Sequence, residues 1–144
     1  MNSETSQAEN GEPARILIIE DEALVALEME SILSDAGYEV VGVADDQSSA
    51  MAAVDRSTPD LALVDIQLAN RSSGFHVAAE LSKRGVCCLF VTGNCPAERG
   101  QGHAVGCLHK PFNERILLGA VAAAEKLMRG ARPERLPRGM HLYQ

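Results

Sequence analysis

Short apolar runs alternate with amphipathic stretches along most of this chain. RILII at 15–19 is followed by EALVALEMESILSDAG at 22–37, and EVVGVA at 39–44 by a helical pattern over about 47–56. LALVD at 61–65 leads through the polar QLANRSSG to another helical pattern over about 75–84. VCCLFVT at 86–92 reads as a fourth strand and GCLHK at 106–110 as a short fifth one. The first helix places Leu24, Leu27, Ile32 and Leu33 on one side and stops at Gly37. A last helix over about 113–129 carries Ile116, Leu117, Ala120, Val121, Ala124, Leu127 and Met128 on a broad stripe, with Leu118 and Ala122 as a second strip beside it. Between the fourth and fifth strands, CPAERGQGHAVG is glycine-rich and predicts a short or frayed fourth helix. Strands alternating with helices of this length predict an α/β fold, a parallel five-stranded sheet with helices on both faces.

Such sheets place their functional site outside the carboxyl ends of the strands. Those ends carry Glu20 and Asp21 after strand one, Asp65 after strand three, Thr92 after strand four and Lys110 after strand five. Each has an ordinary role open to it: Asp21 as a helix cap, Asp65 as a turn former, Thr92 in a TGN turn, Lys110 on the surface. Together, at ends that must converge, they make a chemical constellation. Asp65 follows an apolar run, and a carboxylate set there needs company, because burying an unpaired charge is costly.

Two carboxylates a few ångströms apart repel by about 3–4 kcal/mol at an effective dielectric near 20. Three of them against one lysine leave excess negative charge and invite a divalent cation. All-oxygen ligands at an open mouth suit Mg²⁺ better than zinc. Asp65 then has a role distinct from Glu20 and Asp21, as a carboxylate nucleophile that attacks phosphorus to form an acyl phosphate. Thr92 can hydrogen-bond a phosphoryl oxygen, and Lys110 can offset its charge.

Composition narrows the partners. Over 144 residues aromatics make up 3 %, tryptophan is absent and the formal net charge is −7, which argues against direct nucleic-acid binding. No apolar run approaches the roughly 18 residues of a membrane span. Residues 1–13 are polar and acidic, without the features of a signal peptide, and read as a disordered lead-in. Cys87, Cys88, Cys95 and Cys107 lack the paired spacing of a zinc site and read as reduced, small hydrophobes, consistent with a cytoplasmic protein.

The acidic pair in IIEDE, the aspartate in LVDIQL, the hydroxyl in FVTGN and the lysine in HKPF, in that order, resemble the response-regulator receiver domain of bacterial two-component signalling, over about residues 14–130. The resemblance implies a flavodoxin-like, doubly wound sheet of order 2-1-3-4-5. It implies phosphorylation at Asp65, with Mg²⁺ held by Glu20, Asp21, Asp65 and the backbone carbonyl of Gln67. It gives phosphoryl contacts to Lys110, Thr92 and Gly93, and a cis bond between Lys110 and Pro111. Two positions depart from the family: Ala69 stands where most receivers have proline, and Cys107 where strand five usually carries a switch aromatic. Phe90, Thr92 and Gly93 are similar to a receiver subgroup whose fourth strand ends Phe-Ala-Thr-Gly-hydrophobic-Tyr, while Asn94 and Cys95 are not.

The expectation is a stand-alone response regulator that takes phosphate from a sensor histidine kinase or histidine phosphotransfer protein and signals by binding a downstream protein. It would be no enzyme beyond catalysing its own phosphorylation and dephosphorylation. The alternatives are a receiver-like binding module that is never phosphorylated and an aspartyl-phosphate phosphohydrolase. Residues 131–144 read as a basic tail, in which Arg132, Arg135 and Arg138 outnumber Glu134. The second strip of the last helix would serve a homodimer or a partner.

Overall fold

The computed structural model describes residues 12–97 and 103–143. Five parallel strands, β1 (Arg15–Ile19), β2 (Glu39–Ala44), β3 (Leu61–Val64), β4 (Cys87–Thr92) and β5 (Gly106–His109), alternate with α1 (Ala23–Asp35), α2 (Gln47–Arg56) and α3 (Gly74–Lys83). After β5 come α4 (Glu114–Met128) and a short β6 (Met140–Leu142). The sheet order is β2-β1-β3-β4-β5-β6. The first five strands take the expected order, and β6 adds an antiparallel sixth.

The two-residue period of the strands divides the core into two layers. Ile16, Ile18, Leu61, Leu63, Leu89, Val91 and Leu108 face α1 and α4. Leu17, Ile19, Ala62, Val64, Cys88, Phe90 and Cys107 face α2 and α3. All four residues of β3 are buried, as the unbroken apolar run predicts for a strand covered on both sides.

Four expectations need correction. α1 buries Ala26, Met29 and Leu33, while Leu24 and Leu27 are exposed. The C-terminal segment is more than a basic tail: Gly106, Cys107 and Leu108 pair with Leu142, His141 and Met140. It also passes over α4, with Pro137 placed 3.4 Å from where a Cβ on Gly119 would lie. Leu118 is half-buried and packs on the α1–α4 core while Ala122 is exposed, so the second strip of α4 is not an open apolar surface. Finally, Cys95 and Cys107 form a disulfide, and only Cys87 and Cys88 are free. Residues 12 apart can bond because the loop after β4 returns over β5.

Among the described residues no helix lies between β4 and β5; Glu98 to Gly102, in the expected fourth helix, lie outside them, as do residues 1–11 of the expected lead-in. No helix among the described residues is long and apolar enough to cross a membrane.

Candidate functional site

The rim residues are fixed by the sheet's own hydrogen bonds, continued one residue past the strands. The Glu20 amide donates to the Ala44 carbonyl at 2.8 Å, Asp65 to Ile19 at 2.9 Å, and Lys110 to Thr92 at 2.8 Å. Each side chain therefore leaves the same edge of the sheet, where the apolar layers end. Glu20, Asp65 and Thr92 are buried, and Asp21 is exposed.

Lys110 joins the acids. Its Nζ lies 2.7 Å from Glu20 Oε1, 3.0 Å from Asp65 Oδ2 and 3.3 Å from Glu22 Oε1. Burial pulls the ammonium toward neutrality, but hydrogen bonds to Glu20 and Asp65 outweigh it and hold Lys110 above its ordinary range. Burial acts in the opposite sense on Glu20 and, with the Asp65 charge, outweighs Lys110 and the Glu22 amide, pushing its carboxyl up to about 7. Asp65 Oδ2 is tied to Lys110, whereas among the described residues Oδ1 receives only a long 3.4 Å contact from the Gln67 amide. One oxygen of Asp65 is thus held and the other weakly engaged.

One oxygen each of Glu20, Asp21 and Asp65 lies within 4.8 Å of the other two. Three carboxylates closing on one point, one of them exposed, fit a hard divalent cation that keeps part of its water shell. Gln67 sits two residues beyond Asp65 in the same loop, and its bridge to Ser73 closes that loop at its base. Gly93 follows Thr92 directly and is exposed. The Lys110–Pro111 peptide is cis.

The loop after Asp65 is anchored to the neighbouring β2–α2 junction. Ala69 donates to the Asp45 carbonyl at 2.9 Å, Asn70 Nδ2 to Asp46 Oδ2 at 2.6 Å, and the Gln47 amide to Ser72 Oγ at 2.9 Å. Asn70 and Arg71 hold φ values of 57° and 59°, a left-handed turn that asparagine tolerates better than most residues. Gly74 opens α3 against this loop and donates to the Ile66 carbonyl at 2.7 Å.

Three contributors escaped the sequence reading. Glu22 was visible as the third acid of EDE; its amide donates to Glu20 Oε2 at 3.0 Å in the β1–α1 turn, and its carboxylate faces Lys110. Asp46 was readable only as the N-cap of α2, where it accepts from the Ser49 amide at 2.8 Å. Gly74 carried no signal beyond being a glycine near a helix start.

A family model described as the response regulator receiver domain matches residues 16–122. The transcriptional regulatory protein PdtaR of Mycobacterium tuberculosis is 31% identical over 129 residues, covering 86% of this chain and 62% of the relative. The phyllosphere-induced regulator PhyR of Methylorubrum extorquens is 42% identical over 79 residues, 54% of this chain and 30% of that protein. The chain thus spans less than two thirds of the length of these curated relatives. The crystal structure of a CheY-like response regulator receiver domain protein from Methanospirillum hungatei aligns with a TM-score of 0.72 at 27% identity, covering 81% of this chain and 96% of that one.

Proposed function

The chain belongs to the response-regulator receiver family, and on that premise we propose that it is a phosphoryl switch whose acceptor is Asp65. The observation that carries this reading is the state of the Asp65 carboxylate: one oxygen held by Lys110 at 3.0 Å, the other weakly engaged, at a mouth shared with Glu20 and Asp21. The less engaged oxygen attacks phosphorus in line with the leaving group. With a phosphohistidine donor an O–P bond forms, the P–N bond breaks, and the electron pair leaves on the imidazole. Lys110 offsets the charge of the arriving phosphoryl oxygens, and the Thr92 hydroxyl and Gly93 amide donate to them.

Glu20, Asp21, Asp65 and the Gln67 carbonyl would hold Mg²⁺, which supplies electrostatic stabilisation of that charge. Thr92 lies on the strand paired with β5, and its carbonyl receives the Lys110 amide, so a shift of its side chain toward phosphate would be felt in the β4–β5 loop. Cys107, buried on β5, leaves no ring there to rotate. The donor is a sensor histidine kinase or histidine phosphotransfer protein in the cytoplasm, and the readout is binding to a downstream protein. The chain catalyses no reaction beyond its own phosphorylation and dephosphorylation.

The test is labelling with radioactive acetyl phosphate. Asp65→Asn replaces the attacking carboxylate with a neutral amide and is expected to abolish incorporation, while wild type is labelled on one site. Undiminished labelling of the variant would overturn the assignment.

A further inference from the structure

A second cluster of chemistry-bearing side chains shares no residue with the acidic rim. Cys107 and His109 are two apart on β5 and project from the same face, and Cys107 stands opposite His141 on β6. Cys95, in the loop after β4, is bonded to Cys107, so both sulfurs lie together. One donor atom each of Cys95, His109 and His141 falls within 4.8 Å of the other two. Nε2 of His141 is buried and, among the described residues, the one such side-chain nitrogen or oxygen without a hydrogen-bond partner.

Contacts independent of the sulfur bond hold these segments together. The His109 amide donates to Gly139 at 2.8 Å and the Tyr143 amide to Val105 at 2.9 Å. Tyr143 also donates its hydroxyl to the Pro96 carbonyl at 2.8 Å, fastening the loop beside Cys95 to the C-terminal segment. The His109 and His141 rings lie 5.8 Å apart. Opening the disulfide would therefore leave two thiols and two imidazoles on one framework.

We propose that, once the Cys95–Cys107 bond is reduced, Cys95, Cys107, His109 and His141 form a tetrahedral thiolate–imidazole site for a zinc-class divalent cation. A dithiol reductant supplies two electrons and two protons: the S–S bond breaks, two thiols form, and the reductant becomes its own disulfide. The cation then displaces the two thiol protons to solvent. Zinc–sulfur bonds of about 2.3 Å and zinc–nitrogen bonds of about 2.0–2.1 Å put neighbouring ligand atoms roughly 3.3–3.8 Å apart. Once reduced, the two sulfurs are no longer bonded and must separate to that spacing. Two sulfurs and two imidazoles select zinc over magnesium, so this site does not compete with the carboxylates for the same ion. The disulfide form offers no thiolate and does not hold the ion. The cation would cross-link the loop that follows Thr92, the strand that precedes Lys110, and β6.

The test uses the full chain, reduced with a phosphine under anaerobic conditions, desalted and titrated with Co²⁺ as the probe. One equivalent is expected to produce the thiolate-to-cobalt charge-transfer band and the visible bands of tetrahedral Co²⁺, with Zn²⁺ bleaching both. The oxidised chain is expected to show neither. Cys95→Ser and His141→Ala should each weaken Co²⁺ binding about tenfold or more. Asp21→Ala should leave the sulfur band unchanged, which separates this site from the acidic rim. Absence of a thiolate band in the reduced wild-type chain under excess Co²⁺ would overturn the proposal without recourse to any variant. So would a wild-type titration in both Cys95→Ser and His141→Ala, which would move the coordination away from this cluster.

Discussion

Gly74 leaves no room for a side chain. A Cβ there would run into the Asp65 carbonyl oxygen and come within 2.6 Å of Ile66 Cα, both of them backbone that can yield only by moving the acceptor loop. Gly74→Ala is expected to slow acetyl-phosphate labelling of Asp65 and to cost about 1–3 kcal/mol, as overpacking generally does. Labelling kinetics and thermal melting check this, and a wild-type labelling rate would show that the loop position is not critical. Glu20, Asp65 and Lys110 were legible in the sequence because their chemistry is conspicuous at the ends of apolar strands. Gly74 was not, since what excludes a side chain there is backbone nearly ten residues earlier. The cysteines differ for a related reason: burial and apolar neighbours describe Cys87 and Cys88, but nothing local in the sequence reveals that Cys95 reaches Cys107. Burial pushes the Cys87 thiol up to about 11, so at pH 8 only about 0.1 % of it is thiolate. Iodoacetamide modification of Cys87 in the folded chain should accordingly be slow at pH 8 and rise about tenfold per pH unit toward 11. Rapid alkylation near neutrality, followed by mass spectrometry, would show the thiol to be more open than the fold implies.

Glu125 shows how an element can be pinned by one charged residue on its inner face. It is buried on α4, its Oε2 accepting from the Ala14 amide at 2.9 Å and its Oε1 from the Tyr38 hydroxyl at 2.7 Å. Burial and this acid together raise the Tyr38 phenol above its ordinary range. Glu125→Ala would leave the Ala14 amide and the Tyr38 hydroxyl without their partner, at a cost of about 1–3 kcal/mol for a stranded buried group. The urea midpoint should fall while the denaturant slope stays the same, and an unchanged midpoint would show that water replaces the carboxylate. Five strands and the main helices were legible because the two periods, 2 and 3.6, alternate cleanly along the chain. The inward face of α1 was not. Leu24 and Leu27 outweigh Ala26 and Met29 in hydrophobicity, yet tertiary packing buries the smaller pair with Leu33. β6 escaped because three residues carry too little periodicity to read, and its pairing depends on Gly106, where a Cβ would press on the His141 carbonyl at 2.5 Å.

On the scale of the whole molecule, one edge of the sheet gathers Glu20, Asp21, Glu22 and Asp65 around a single lysine, in a chain of formal net charge −7. The strand order that brings them together came from the family resemblance. Periodicity shows which strand ends carry acids, but the order of strands depends on crossovers that no local pattern encodes. Excess negative charge at that edge costs stability, and a divalent cation relieves it chiefly in the folded state, because the unfolded chain holds Asp65 apart from the consecutive Glu20 and Asp21. Mg²⁺ should therefore raise thermal stability, by about 1.4 kcal/mol at ten times its dissociation constant. The measurement belongs at low ionic strength, where monovalent salt screens the acids least. Asp21→Ala suits the test, because Asp21 is exposed and its loss leaves Lys110 its contacts to Glu20 and Asp65. That variant should melt normally without metal and lose most of the Mg²⁺-dependent shift, while a chelator should reverse the shift in wild type. Because thiolate and imidazole ligands disfavour magnesium, the redox state of Cys95 and Cys107 should leave the shift unchanged. An equal Mg²⁺ shift in Asp21→Ala would place the cation away from this edge and remove the electrostatic basis for phosphoryl transfer at Asp65.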